Sequence, residues 1–278
     1  MPGSSQGGMK KMKVWNALSM ESSFARKVFF AGTKAIAHPR STLSWILRGH
    51  LAKDTVFVSQ MYWFTGVLPR VALSKVFPGI EESEIVLPRA FDRKSGTSIS
   101  VEEACQLGAV VKHSKARKVL EIGTYDGNTA LVLAANMGDG GVVVTVDLPP
   151  NFSTDEQDSL AYPDGEFNLT PRNQLGRQYK THNLQARIRQ VYGDSGKLDW
   201  GTLGGPFDLV FIDGCHTEAY VRSDSENAMK HLAPGGIIIW HDYGMIPAVS
   251  NVVDAFAKET GAVKVYVLEG TRMAVALT

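Results

Sequence analysis

From about residue 98 to its end, the chain alternates between two hydrophobic patterns. Short continuous apolar runs, such as 118–122 and 142–147, are typical of parallel strands that are covered on both faces. Between them lie longer stretches, such as 128–137, with the apolar spacing of helices. The alternation predicts an α/β fold in which helices cover both faces of a mostly parallel sheet.

The pattern also predicts how this sheet ends. Further strands are predicted at 187–192, 207–213 and 236–241, and further helices at 217–232 and 249–258. Two β-rich runs follow, at 262–268 and 272–277. Because only Glu269-Gly270-Thr271 separates them, they can pair only as an antiparallel hairpin. At the other end of this domain, Ser100 and Glu103 have the spacing of a capping box that opens a helix.

Two segments fall outside the regular alternation. Residues 1–97 are predicted to form a basic, mainly helical N-terminal extension, and residues 98–278 the α/β domain. The insertion 148–181 is far longer than an ordinary strand-to-helix loop, which favours a lid or a mobile surface loop. As a lid, it would supply four aromatic side chains to a ligand wall: Phe152, Tyr162, Phe167 and Tyr179.

Composition and charge narrow the class of protein. The 278 residues are 44% hydrophobic, enough for a sizeable core, and the net charge of +1 gives no reason to expect a nucleic-acid partner. Residues 1–53, however, hold nine Lys or Arg against one acid, Glu21. We expect this basic segment to pack on the domain or to mediate a homo-oligomer, with peripheral contact to an anionic membrane as the alternative.

The cysteine count and the hydropathy suggest a compartment. Cys105 and Cys215 are the two cysteines and give no disulfide framework, so a reducing, cytoplasmic location is expected. The chain has no apolar run of eighteen or more residues and no signal-peptide pattern at its start.

The turn after the first strand carries the strongest chemical signal. The run 118–122 contains an acid, Glu121, and leads through Gly123 and Gly127 into the next helix, a pattern typical of a nucleotide-type cofactor site at a helix N-terminus. A dinucleotide-binding dehydrogenase would show G-x-G-x-x-G here, whereas Tyr125 occupies the position of the second glycine. An NAD-linked oxidoreductase is therefore disfavoured.

Polar residues also follow the other strands, where an open α/β sheet binds its ligands. Asp147 ends the second strand, and Asp194 and Ser195 follow the third, where they could bind a ligand or simply cap a helix. The fourth and fifth strands are followed by two acids and two histidines: Asp213, His216, His241 and Asp242. Imidazole titrates near neutral pH, so His216 could act as a general base, or could be an ordinary loop residue.

These motifs resemble the class I S-adenosylmethionine-dependent methyltransferases, and the segments I-D-G-x-H and P-G-G-x-I-x-x-H-D-Y resemble their small-molecule O-methyltransferase branch. The resemblance implies a Rossmann-like, seven-stranded sheet with a terminal antiparallel hairpin and S-adenosyl-L-methionine as cofactor. It also implies a set of cofactor-binding residues: Glu121, Gly123, Thr124, Tyr125, Gly127, Thr129, Asp147, Asp194, Ser195 and Asp213. In this set, Asp147 would bind the ribose hydroxyls and Asp194 the adenine amino group.

The same resemblance implies the reaction and its catalytic groups. The expected acceptor is a hydroxyl of a small molecule, such as a sugar or a natural product. The expected catalytic residues are His216, Asp213 and His241, and the expected ligands of Mg or Mn are Asp213 and Asp242. A histidine ligand would disfavour magnesium, so His241 leaves the choice of metal open. A binding module without catalysis remains the alternative from another class.

Overall fold

The computed structural model describes residues 66–89, 99–150, 174–261 and 263–278, together with Ile36 and Pro39. The chain divides into two compact units, Met1–Val67 and Leu68–Thr278, and the description below concerns the second. Most of the predicted N-terminal extension and residues 151–173 of the predicted lid lie outside the described residues. The predicted roles of these segments, and the predicted domain boundary at 97/98, therefore stay predictions.

The described elements alternate in the predicted order. The strands are β1 (Arg70–Val71), β2 (Lys118–Ile122), β3 (Val142–Asp147), β4 (Ile188–Tyr192), β5 (Phe207–Ile212), β6 (Leu232–Trp240), β7 (Lys264–Leu268) and β8 (Ala274–Leu277). The helices are α1 (Leu73–Val76), α2 (Val101–Ser114), α3 (Asn128–Asn136), α4 (Arg177–Lys180), α5 (Glu218–His231) and α6 (Pro247–Glu259).

The strands form one sheet with the order β1-β7-β8-β6-β5-β2-β3-β4. Strands β2 to β6 pair in parallel, whereas β8 is antiparallel to both β6 and β7. The predicted α/β class and the terminal hairpin are thus confirmed. The described sheet has one strand more than the predicted seven, because the two-residue β1 pairs with β7. So short a strand leaves no hydrophobic period to recognise.

Local chemistry explains where the elements begin. Helix α2 opens with the predicted capping box, since Ser100 Oγ accepts from the Glu103 N–H and the Glu103 carboxylate accepts from the Ser100 N–H. Helix α6 opens with Pro247 in its first turn, where a missing N–H costs nothing. The continuous apolar runs of β2 and β5 are buried on both faces between two hydrophobic clusters. Because β2 to β6 pair in parallel, their carboxyl ends lie along one edge of the sheet.

Tyr179 of helix α4 is the member of the predicted aromatic wall that the structure describes. Its side chain is buried, and its hydroxyl donates to Gln190 Oε1 at 2.6 Å. The ring packs on the turn at Gly127, where a Cβ would lie 2.5 Å from Tyr179 Cδ1. Tyr179 therefore braces the glycine turn from within the fold.

Within the described part of the chain, every helix falls short of the length and apolar content that crossing a bilayer requires.

Candidate active site

The turn between β2 and α3 can be built only with glycine at its first bend. Gly123 has φ +97°, and a Cβ there would lie 2.1 Å from the backbone oxygen of Asp213. The turn after β2 and the loop after β5 are thus in direct backbone contact. Tyr125 in the same turn also has a positive φ, +46°, which is uncommon for a residue with a side chain.

Asp147 at the end of β3 fixes this turn. Its Oδ2 accepts hydrogen bonds from the N–H groups of Thr124 at 3.0 Å and Tyr125 at 2.9 Å, and its Oδ1 accepts from the Leu148 N–H at 2.8 Å. Burial raises the pKa of the Asp147 carboxyl, and these backbone donors oppose the rise. Asp147 therefore already shapes the predicted cofactor turn without a ligand.

Glu121 faces the interior of the sheet. Its side chain is fully buried and accepts a hydrogen bond from the Thr145 hydroxyl. Burial raises the pKa of Glu121 well above its ordinary value, and the nearby carboxylates of Asp213 and Asp147 add to the rise. The Thr145 hydroxyl also bonds to Thr124 Oγ1 at 2.7 Å. The structure thus links Glu121 to the glycine turn through hydroxyl groups.

The remaining predicted cofactor residues lie at the same edge. Asp194 accepts from the Gly196 N–H at 3.0 Å and from the Tyr220 hydroxyl at 2.9 Å, so its carboxylate organises the loop after β4. Ser195 is buried and its carbonyl accepts from Trp200 Nε1 at 3.0 Å. Gly127 precedes α3 as its N-cap, and Thr129 is buried in the first turn of that helix.

Two acids and one imidazole meet where β5 and β6 end. His216 Nε2 lies 3.6 Å from Asp213 Oδ1 and 3.4 Å from Asp242 Oδ2. This nitrogen is buried and forms no hydrogen bond with the described residues. Burial lowers the pKa of His216, but Asp213 and Asp242 outweigh it and raise the pKa above its ordinary value.

His241, which was also predicted to be catalytic, lies behind this cluster. It is 5% exposed, and its Nδ1 lies 3.1 Å from Asp213 Oδ1 and 3.5 Å from Asp242 Oδ1. Its Nε2 lies 3.4 Å from Glu103 Oε1. Although burial lowers the pKa of His241, the surrounding carboxylates raise it well above its ordinary value. His241 is therefore placed to support Asp213 from the interior.

Glu103 and Arg272 also belong to this cluster, although neither is among the site residues predicted from the sequence. The Arg272 guanidinium contacts Glu103 Oε2 at 2.9 Å with Nη2 and Asp242 Oδ1 at 2.9 Å with Nη1. From the sequence, Glu103 is explained as the capping partner of Ser100, so its spacing gives no reason to expect a second role. Arg272 was predicted only as the first residue of the last strand, 272–277.

The residues present fit a divalent cation. One ligand atom from each of Asp213, His216 and Asp242 lies within 4.8 Å of the others. Two ligands at bonds of about 2.1 Å lie about 3.0 Å apart in octahedral and about 3.4 Å apart in tetrahedral geometry. The separations of 3.4 and 3.6 Å at the unpaired His216 nitrogen are close to these values. A donor set of two carboxylates and one imidazole suits Mn²⁺ better than Mg²⁺, which prefers oxygen.

Comparison with known proteins finds a similar domain in this part of the chain. Residues 120–243 match the family model described as a methyltransferase domain. This part of the chain is therefore similar to a methyltransferase domain, and the predicted resemblance to the class I S-adenosylmethionine-dependent methyltransferases is confirmed.

Similarity to individual proteins is more limited. Mycinamicin VI 2''-O-methyltransferase of Micromonospora griseorubida is 34% identical over 67 residues, and demethylmacrocin O-methyltransferase of Streptomyces fradiae is 36% identical over 69 residues. Each match covers 23% of this chain and 17% of the relative. A solved structure of the O-methyltransferase from Bacillus cereus with SAH is 19% identical, with a TM-score of 0.47, and the match covers 80% of this chain and 97% of that one. The fold assignment rests on the strand order and not on this comparison.

Proposed function

We propose that the protein transfers a methyl group from S-adenosylmethionine to a hydroxyl of a small molecule, such as a sugar or a natural product. The observation that carries the proposal is the contact between Gly123 and the backbone of Asp213. Because of this contact, a cofactor held by the glycine turn lies beside the acids and imidazoles that would receive the acceptor. The relatives from Micromonospora griseorubida and Streptomyces fradiae are both O-methyltransferases, which supports oxygen as the acceptor atom.

The proposed cofactor site uses the residues at the ends of β2, β3 and β4. Asp147 Oδ2 accepts two backbone hydrogen bonds, whereas Oδ1 accepts one, so Oδ1 has a second lone-pair direction for a ribose hydroxyl. Asp194 and Ser195 lie on the next loop, where they would contact the adenine ring. The N-terminus of α3 adds the partial positive charge of the helix dipole.

The proposed chemistry is an in-line displacement. The acceptor oxygen forms a bond to the methyl carbon while the carbon–sulfur bond breaks, S-adenosylhomocysteine leaves, and the hydroxyl proton is released to a base or to solvent. Holding oxygen, carbon and sulfur on one line supplies much of the rate. A divalent cation, when bound, would act as a Lewis acid that lowers the pKa of the acceptor hydroxyl. Asp213, His216 and Asp242 are the residues that would hold it.

A second candidate mechanism uses His216 without a metal. Its buried, unpaired Nε2 could accept the hydroxyl proton, and the carboxylates of Asp213 and Asp242 would then stabilise the imidazolium. The two mechanisms make opposite predictions for a chelator. EDTA abolishes a metal-assisted reaction and leaves a histidine-only reaction unchanged.

The deciding experiment is isothermal titration with S-adenosylhomocysteine, followed by methyl transfer from labelled S-adenosylmethionine to a panel of sugar and polyketide hydroxyl compounds. Each measurement is made with EDTA and then with Mg²⁺ or Mn²⁺. Glu226→Ala, which removes an exposed carboxylate of α5, is the control for Asp213→Ala and Asp242→Ala. The absence of cofactor binding would refute the proposal, binding without turnover on any acceptor would favour a non-catalytic module, and binding of NAD instead would favour an oxidoreductase.

A further inference from the structure

Arg272, in the turn between β7 and β8, joins two carboxylates from distant parts of the chain. Its Nη1 donates to Asp242 Oδ1 at 2.9 Å, while Nε and Nη2 donate to the two oxygens of Glu103 at 3.0 and 2.9 Å. The Arg272 N–H also donates to Glu103 Oε1 at 3.0 Å. A planar guanidinium that contacts two carboxylates fixes both in orientation, which an ammonium group could not do.

Glu103 gives Arg272 its position. It is 1% exposed and lies in the first turn of α2, where its carboxylate also accepts from the Ser100 N–H at 2.7 Å. Four donors therefore converge on a carboxylate that could not remain ionised in the interior without them. The charge of Glu103 also offsets that of Arg272, so the guanidinium adds little net positive charge beside the acid cluster.

The backbone next to Asp242 also contacts Arg272. Asp242 has φ +57°, and the Tyr243 N–H donates to the Arg272 carbonyl at 2.9 Å. The two oxygens of the Asp242 carboxylate have different neighbours. Oδ1 contacts Arg272, whereas Oδ2 lies 3.4 Å from the unpaired His216 Nε2. Arg272 thus holds one oxygen and leaves the other facing the candidate cation position.

We propose that Arg272, held by Glu103, is a positioning residue that orients the Asp242 carboxylate for a divalent cation. The inference rests on the metal-assisted form of the proposed function. Two opposing effects follow from it. Removing the guanidinium would relieve repulsion of a cation, but it would also free Asp242 to rotate. The pairing with Glu103 cancels most of the repulsion, so the loss of orientation dominates and cation affinity falls.

The test compares three proteins by Mn²⁺ binding, followed by the loss of the free-ion electron paramagnetic resonance signal. Arg272→Met alone would remove the guanidinium that balances the buried charge of Glu103, so the main variant is the charge-balanced pair Glu103→Gln with Arg272→Met. Arg272→Lys keeps the positive charge but loses the planar guanidinium that contacts both carboxylates. Far-ultraviolet circular dichroism and S-adenosylhomocysteine titration report the fold and the neighbouring cofactor site of each protein.

We expect the double variant to bind Mn²⁺ about 10–100-fold more weakly than the wild type, with unchanged S-adenosylhomocysteine affinity. We expect Arg272→Lys to bind Mn²⁺ with an affinity between those of the wild type and the double variant. We also expect it to show part of the bound Mn²⁺ spectrum that the double variant lacks, which a purely structural role would not produce. If the double variant does not fold, Arg272→Lys decides. Weaker Mn²⁺ binding at unchanged thermal stability supports the inference, and unchanged binding overturns it.

Two further outcomes separate this inference from the proposed function. A folded double variant that binds Mn²⁺ as tightly as the wild type, or more tightly, overturns the positioning role alone. A wild type that binds S-adenosylhomocysteine but no Mn²⁺ overturns the metal-assisted mechanism, and the role of Arg272 fails with it.

Discussion

Asp147 Oδ2 accepts a hydrogen bond of 2.9 Å from the backbone N–H of Tyr125, a residue with a positive φ. The acid at the end of β3 therefore stabilises the turn at the end of β2, across neighbouring strands. A hydrogen bond from an N–H to a charged acceptor is worth more than one to a neutral acceptor. The position assigned to ribose binding has a structural role as well, and the two roles can be separated experimentally.

Asp147→Asn keeps the size of the side chain but replaces one acceptor oxygen by a donor. We expect it to destabilise the fold by about 1–3 kcal/mol, because a backbone N–H near the turn loses its partner. We also expect S-adenosylhomocysteine affinity to fall at least tenfold. Urea denaturation and calorimetric titration give the two values. Asp139→Asn, in an exposed turn, is the control and should change neither.

Gly123→Ala tests the contact between the turn after β2 and the loop after β5. An added Cβ would lie 2.1 Å from the Asp213 oxygen, and φ +97° is strained for alanine in any case. We expect the free energy of unfolding to fall by at least about 2 kcal/mol, and we expect cofactor binding to be lost as well. Gly138→Ala is the matched control, since a Cβ there meets nothing within 4 Å and should cost no more than about 0.5 kcal/mol. An alanine at 123 that left both properties intact would contradict the observed contact.

The sequence predicted the helices and strands better than it predicted the cluster of charged side chains around Asp213 and Asp242. The apolar runs of β2 and β5, the capping box at Ser100 and the closing hairpin are local signals, and all are confirmed. The partnership of Glu103 and Arg272 spans 169 residues along the chain, so no local spacing could indicate it. Glu103 was already explained as a capping residue, which concealed its second role. The buried position of His241 likewise depends on Glu103, a neighbour that only the folded chain brings near.

His216→Ala distinguishes the two proposed mechanisms. If His216 is a ligand, Mn²⁺ affinity should fall about tenfold or more, since one of three donors is lost. If it is the base, Mn²⁺ binding is irrelevant to turnover, and methyl transfer should fall by about 10²–10⁴ with or without EDTA. Added imidazole would then restore part of the rate. A variant with wild-type turnover and wild-type Mn²⁺ affinity would remove His216 from both roles.

Asp224 on α5 predicts how stability depends on pH. Its carboxyl is fully buried and lies beside the Ser195 hydroxyl. Burial raises its pKa from 3.8 to about 7, with a smaller contribution from the charge of Asp194, while the Ser195 hydroxyl opposes the rise. The thiol of Cys215 is a further titratable group that senses this charge.

Proton linkage gives the direction in which the Asp224 carboxyl changes the free energy of unfolding with pH. Between pH 3.8 and about 7 the folded protein keeps a proton on Asp224 that the unfolded chain releases. Stability from this group is therefore complete below pH 3.8 and declines as pH rises towards 7, by up to about 1.4 kcal/mol per pH unit. Asp224→Asn cannot ionise, so it should lack this decline. The free energy of unfolding of the wild type minus that of the variant should fall from pH 5 to 7 and become constant above about 7.5. Denaturant unfolding at half-unit pH steps measures this difference, and a difference independent of pH would show that Asp224 ionises equally in both states.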